Sequence, residues 1–157
     1  VQGGAIGGGL GLSLVADFRI GCPESRFSAN FSRLGFHQGF GTTVTLPRVV
    51  GPQNAAMMML TGRRLKGQEA FDVGLIDYLV PLNEVRSKAI ELAEEISESG
   101  PLAVQSIRAT IRAGLAEQVE EIVSWELSEQ VRLQSTKDFK EGIKASLERR
   151  KPKFEGS

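Results

Sequence analysis

Cysteine, histidine, tryptophan and tyrosine each occur once in these 157 residues, neither sign of charge is in excess, and apolar residues never run far. Each scarcity removes a class of protein. Cys22 alone cannot close an internal disulfide, so a domain stapled by crosslinks is excluded and a reducing, cytoplasmic setting is expected. Nineteen basic residues cancel nineteen acidic ones, which leaves no net field to hold a polyanion; neither nucleic acid nor a membrane surface is expected as a partner. The longest apolar run, Ala55 to Leu60, falls far short of the roughly 20 residues that cross a bilayer. No charged leader followed by an apolar stretch of secretory type is recognisable, and no metal site is expected.

What is present is an ordinary globular composition, 41% hydrophobic, enough for one domain or most of one. The chain opens at Val1 on a glycine-rich motif, and a preceding portion is expected. Composition shifts near residue 80. Residues 1–80 read as mixed α/β: Gly3 to Gly9 as a loop, Leu10 to Ala16 as a short buried helix, and Asp17 to Ile20 and Arg26 to Ser28 as strands. A helical segment follows Gly39 to Gly41, although Pro47 argues against it; Pro52 to Leu60 reads as helix and Tyr78 to Val80 as a strand. Residues 81–157 read as successive amphipathic helices. Val85, Ala89, Leu92 and Ile96 mark one apolar face, Leu102, Ile107, Ile111 and Leu115 a second, and Val119, Ile122, Trp125 and Leu127 a third. Ser135 with Asp138 resembles a helix start, before a stripe of Phe139, Ile143 and Leu147 that needs a surface to cover.

Gly7-Gly8-Gly9 at the mouth of a helix permits close backbone approach and leaves main-chain N–H groups free, because the first turn of a helix lacks internal acceptors. Such donors could stabilise an enolate or tetrahedral oxyanion formed from a thioester more than the ground-state carbonyl. The same glycines could instead serve tight helix–sheet packing. No register of Gly3 to Leu14 fits G-x-G-x-x-G, and no lysine follows the run, so nucleotide-loop readings are weak.

The motif Val1-Gln2-Gly3, three residues, Gly7-Gly8-Gly9, four residues, Leu14-Val15-Ala16-Asp17-Phe18 resembles the signature of the enoyl-CoA hydratase/isomerase (crotonase) family. Arg26-Phe27, Leu34-Gly35, Gly39-Phe40-Gly41-Thr42-Thr43, Leu46-Pro47-Arg48-Val49-Val50-Gly51, Leu60-Thr61-Gly62, Gly74-Leu75-Ile76-Asp77 and Leu147 to Pro152 continue it in order and approximate spacing. The resemblance implies an α/β fold, part of a spiral of ββα turns over residues 1–80, followed by a helical oligomerisation region over 81–157 that builds trimers, often paired into hexamers. It implies acyl-CoA substrates and no cofactor beyond the coenzyme A they carry.

Residue by residue, the resemblance gives Gly8 a backbone N–H in the oxyanion hole, framed by Gly7 and Gly9. Hydratases of the family carry glutamates where this chain has Gly11 and Phe31. Neither residue moves a proton, so two-carboxylate hydration is not expected, and Phe31 becomes a pocket residue. His37, the only imidazole, lies in the loop Gly35 to Gly39 and is the candidate acid–base group, since imidazoles exchange protons near neutral pH. Ser28, Asn30 and Ser32 could orient water or make local turn bonds. Lys144, Arg149, Arg150 and Lys151 form a basic cluster in which Arg149 could fork onto a coenzyme A phosphate; Ser146 stands where the family commonly has phenylalanine. Cys22 and the Met57 to Met59 run read as core packing. Three readings follow: an acyl-CoA enzyme acting by isomerisation, thioester hydrolysis, decarboxylation or unusual hydration; a catalytically silent acyl-CoA-binding homologue; and an oligomerising module alone.

Overall fold

A computed structural model describes all of residues 1–157. Two small sheets sit under a layer of helices. Strand β1 (Gly4–Ile6) is followed by helix α1 (Gly8–Ser13), β2 (Ile20–Gly21) and β3 (Arg26–Ser28). A 3-10 turn over Asn30–Leu34 leads to α2 (Thr42–Thr61), β4 (Leu65–Lys66), α3 (Gly67–Asp72) and β5 (Tyr78–Leu79). The remainder is helical: α4 (Val85–Ser97), α5 (Pro101–Ile111), α6 (Leu115–Gln134) and α7 (Lys137–Leu147). The composition shift near residue 80 is therefore a shift from strand–helix alternation to helices alone.

Strand β3 lies between a parallel β1 and an antiparallel β4, with Ala5 opposite Phe27 and Phe27 opposite Leu65. Beside this sheet, β2 pairs in parallel with β5. The core is built from Leu10 of α1, Leu14 at its C-cap, Phe27 of β3, Leu46 and Met58 of α2, and Leu75, all essentially buried. Leu10 and Leu14 are four residues apart, and the C-cap keeps the right-handed conformation, which places both side chains on one side of α1. Leu12 and Val15 point outward, 72% and 63% exposed.

Several sequence expectations are corrected here. Gly4–Ile6 is a strand where a loop is expected, because β3 supplies its hydrogen-bonding partner. Of Asp17 to Ile20 only Ile20 pairs; Arg19 is buried, donating from Nε to the Leu75 carbonyl at 2.8 Å and from Nη1 to the Ala16 carbonyl at 2.8 Å. Burial pushes this guanidinium below its ordinary value, and Asp77 partly offsets the push. Helix α2 runs through Pro47 and breaks instead at Gly51, where φ is 76° and ψ 159°. The break is set by Pro52, which denies its predecessor the helical region, and glycine takes the left-handed alternative without strain. Met58 is in the core, but Met57 is 46% exposed.

The last helix starts one residue later than expected. Thr136 Oγ1, not Ser135, accepts from Phe139 N at 3.1 Å, while the Asp138 carboxylate accepts from Glu155 N and Gly156 N at 2.8 and 2.9 Å. Helix α7 docks by backbone on backbone. A β-carbon at Gly142 would come within 2.4 Å of the Leu34 carbonyl carbon, and one at Gly35, which has φ of 64°, within 2.7 Å of the Asp138 carbonyl oxygen. Phe139 then stacks on Phe36 at 5.0 Å between centroids, whereas Leu147 remains 80% exposed.

Arg150 forks onto Glu141 and also pairs with Glu148. That fork, together with the Lys153 N–H, holds the Glu141 carboxyl down at about 2. Because the folded value lies below the unfolded one, the stabilisation is complete above the ordinary carboxylate range and is lost as pH falls through about 2. In an NMR titration of side-chain carboxyls, Glu141 is expected to remain ionised at pH 3; a midpoint in the ordinary range would show that the fork does not persist in solution.

Apolar side chains on the outer helices face solvent in the single chain, among them Leu102, Ile107 and Ile111 of α5 and Trp125, Leu127 and Val131 of α6. No helix is long and apolar enough to cross a membrane.

Candidate functional site

The end of β1 turns sharply into α1 at Gly7, whose φ of 55° and ψ of −118° are open only to glycine at little strain. The Gly7 amide is sealed: it donates to the Ser28 carbonyl at 2.8 Å and so continues the β1–β3 pairing. Its carbonyl accepts from Leu10 N and Gly11 N at 3.0 and 3.1 Å, which starts the helix. Gly8 and Gly9 occupy the first turn, where an N–H has no acceptor inside the helix. Gly7 is buried, Gly8 half-buried and Gly9 exposed. The triplet thus divides by role, with one amide spent on the sheet and the next two in a first turn that offers them no helical acceptor.

Aromatic side chains, not carboxylates, surround this corner. Phe31 packs on Gly7, its ring lying 3.6 Å from where a β-carbon would stand, with Asn30 Oδ1 at 3.3 Å from the same point. The Phe40 ring covers Gly8, and the Phe40 β-carbon lies 2.6 Å from a β-carbon built on Gly11. No larger residue fits at 8 or 11 unless Phe40 moves. Phe31 also meets Phe36 at 6.3 Å, so aromatic contacts run from Phe139 on α7 through Phe36 and Phe31 to Gly7.

The loop between the 3-10 turn and α2 is fixed from α6. Gln130 Nε2 donates to the His37 and Gln38 carbonyls at 3.1 Å each. Glu126, 1% exposed, accepts from Gly41 N at 2.8 Å, Thr43 N at 3.2 Å and Thr43 Oγ1 at 2.6 Å, and so caps the start of α2. Phe40, between these anchors, has φ of 62°, a conformation that costs an L-residue about 1–2 kcal/mol. The ring borders a cleft of about 320 Å³ that continues past Gly11, Leu14 and Val15 to Leu115 and Val119. At the rim of the cleft, Arg108 and Arg112 bind the Asp17 carboxylate at 2.8 and 2.6 Å, and Arg108 foremost holds that carboxyl below its ordinary value.

The sequence profile of the enoyl-CoA hydratase/isomerase family matches residues 1–157. The chain belongs to that family. A crotonyl-CoA hydratase of Syntrophomonas wolfei is 35% identical over 98% of this chain and 59% of its own length. A probable mitochondrial enoyl-CoA hydratase of Arabidopsis thaliana is 34% identical over 100% of this chain and 52% of its own. Among solved structures, a carnitinyl-CoA hydratase from Mycobacterium avium superposes with a TM-score of 0.90 at 29% identity, covering 100% of this chain and 61% of that one. An enoyl-CoA hydratase/isomerase from Pseudoalteromonas atlantica gives 0.88 at 29% identity, over 99% and 62%. The chain thus spans between half and two thirds of the length of these relatives, and the α/β crotonase fold is the one it shares with them.

Within this enoyl-CoA hydratase/isomerase framework, the residues singled out from sequence separate into groups. Gly7, Gly8, Gly9, Gly11 and Phe31 come together at the α1 corner. The partners of His37 lie on its own loop and on α6: Nδ1 faces the Gln38 carbonyl at 3.0 Å, and the His37 carbonyl accepts from Gln130 Nε2 at 3.1 Å. Ser28 is not available to orient water, since its buried hydroxyl is held between the Gly62 and Arg63 carbonyls at 3.0 Å. Arg149 is exposed, enters none of the ion pairs and has φ of 54°, whereas its neighbour Arg150 is fully engaged by acids. Sequence reasoning missed Phe40, Glu126, and Gln38, whose buried Oε1 has no partner while its Nε2 donates to the Ala29 carbonyl at 3.3 Å. Only the glycines on both sides of Phe40 hinted at an unusual backbone there.

Proposed function

We propose that the chain handles acyl-coenzyme A thioesters at the α1 corner, with the Gly8 N–H directed to the thioester oxygen as it gains charge on the way to an enolate or a tetrahedral oxyanion. The observation that carries this reading is the division of the triplet: Gly7 N is spent on Ser28, while Gly8 N is left in a half-buried first turn without a helical acceptor. A donor fixed by backbone shape stabilises developing charge without reorganising at the moment of reaction, which is where catalytic advantage arises. Gly7 and Gly9 frame the donor, Phe31 gives an apolar contact for the acyl group, and Arg149, free of acidic partners, is the fork for a coenzyme A phosphate. No cofactor beyond the coenzyme A of the substrate enters this reading. Hydration by two carboxylates does not, because position 11 is a glycine beneath Phe40 and position 31 is a phenylalanine packed on Gly7.

A second reading, a catalytically silent acyl-CoA-binding homologue, draws support from the same neighbourhood: the side chains against the triplet are Asn30, Phe31 and Phe40, none of which titrates. Calorimetry with acyl-CoAs, followed by mass spectrometry of the products, separates the two. Binding with the acyl-CoA unchanged in both mass and chromatographic retention, so that a shifted double bond is also seen, selects the silent homologue; absence of both binding and conversion removes both readings. On the catalytic reading His37 is the group that moves the proton, and His37→Ala is expected to lower turnover about 100-fold with acyl-CoA affinity retained. Undiminished turnover would strip His37 of that role and leave Gly8 in place.

Residues 81–157 form the oligomerising region on this reading, with a trimer or hexamer as the assembly. Support comes from the apolar side chains of α5 and α6 that face solvent in the single chain, Leu102 at 79% and Ile111 at 68% exposed. Sedimentation velocity tests it, and a monomer at micromolar concentration would count against it.

A further inference from the structure

Phe40 combines three properties that packing alone does not explain. Its backbone is left-handed, between Gly39 and Gly41, although glycine in its own place would carry no strain. Its side chain is 67% exposed, so the strain is not repaid by burial. The ring is nonetheless well placed: Cε2 and Cζ lie 2.7 and 2.8 Å from a β-carbon built on Gly8, and Cβ lies 2.6 Å from one built on Gly11. The loop is pinned on both flanks, by Gln130 on the His37 and Gln38 carbonyls and by Glu126 on Gly41 N, so α6 imposes the backbone that sets the ring there.

The consequence is chemical. The Phe40 β-carbon, with ring Cγ at 3.2 Å, fills the volume that a side chain at position 11 would need, and Phe40 also borders the cleft leading to Leu115 and Val119. The ring thus stands both against Gly8 and at the edge of the cleft. We propose that Phe40 is the specificity-determining residue of the Gly8 site: the acyl chain of the thioester lies along its exposed ring, which keeps that wall dry and selects apolar acyl groups over carboxylated ones. This inference rests on the reading of Gly8 as the thioester donor.

The test compares the wild-type chain with Phe40→Gly by calorimetry against coenzyme A, butyryl-CoA and malonyl-CoA. The variant is expected to lose about tenfold in affinity for butyryl-CoA while its affinity for coenzyme A changes by less than about twofold, which narrows the preference over malonyl-CoA. It is also expected to melt higher, because glycine relieves the left-handed strain. If the wild type binds butyryl-CoA and Phe40→Gly binds it equally well, the role of Phe40 is overturned and Gly8 stands. If the wild type binds no acyl-CoA, the Gly8 reading falls and takes this one with it. A second readout needs no ligand. Gly11→Ala should lower the melting temperature in the wild type, where Phe40 occupies the space, by clearly more than in the Phe40→Gly background, where only Thr42 Cγ2 at 3.3 Å remains against it. Equal changes in both backgrounds would show that Phe40 does not stand over position 11 and would overturn the proposal.

Discussion

Proline at position 8 is expected to reduce turnover by about 100- to 1,000-fold relative to alanine at the same position, the loss seen when one oxyanion donor is removed. The comparison separates the amide from the β-carbon. Both substitutions add a β-carbon against the Phe40 ring, but only proline deletes the N–H and sets its ring Cδ in the hydrogen's place. Gly8 is the first residue of α1, where a missing N–H breaks no helical bond and proline is well tolerated. Gly7 before it is already outside the helical region, so the restriction that proline places on its predecessor is met in advance. Steady-state kinetics on the turned-over acyl-CoA, or affinity for an enolate analogue, reads the difference, and circular dichroism confirms that both variants fold. Equal losses for alanine and proline would assign the whole effect to crowding and leave the amide without a role.

Glu126→Ala is the largest expected effect on stability, a loss of about 3 kcal/mol and a fall in melting temperature of about 6–12 °C. The carboxylate is 1% exposed and satisfies two backbone donors and one hydroxyl at the start of α2. Alanine removes the acceptor and strands those donors where water reaches them poorly, the costly half of the hydrogen-bond asymmetry. Glu126→Gln keeps the shape and an acceptor oxygen, so it is expected to lose only about 1 kcal/mol. Thermal denaturation of the two variants side by side decides the matter: if alanine melts with the wild type, another contact holds α6 on α2.

The same residue shows what could and could not be read in advance. In the sequence Glu126 is one of several acids along α6, with Glu117, Glu120, Glu121 and Glu129, and periodicity gives it no mark. Only the arrival of the Gly41–Thr43 turn beneath it makes it an interior residue. Arg19 was hidden in the same way, since its partners at Ala16 and Leu75 come from a turn and from a segment 56 residues away. The helices after residue 80 were legible because their apolar faces repeat at helical spacing, and Arg26 to Ser28, read as a short strand, is β3. Gly4–Ile6 was not: Gly-Ala-Ile carries almost no side-chain signal, and its strand character is conferred by β3. At the site, the triplet and the uncharged residues at positions 11 and 31 were visible. The aromatic cover was not, because it depends on one phenylalanine taking a backbone conformation that its residue type disfavours.

The backbone seating of α7 at Gly35 and Gly142 ties distant stretches of the chain together. Residues 139 to 142 press on the Leu34 to Phe36 turn, and through Phe36 and Phe31 on the glycine that opens α1. The glycine corner is therefore finished from the far end of the fold: a ribosome that has released residues 1–100 has not yet supplied the helix against which Phe36 rests, and the corner matures only once α7 has emerged.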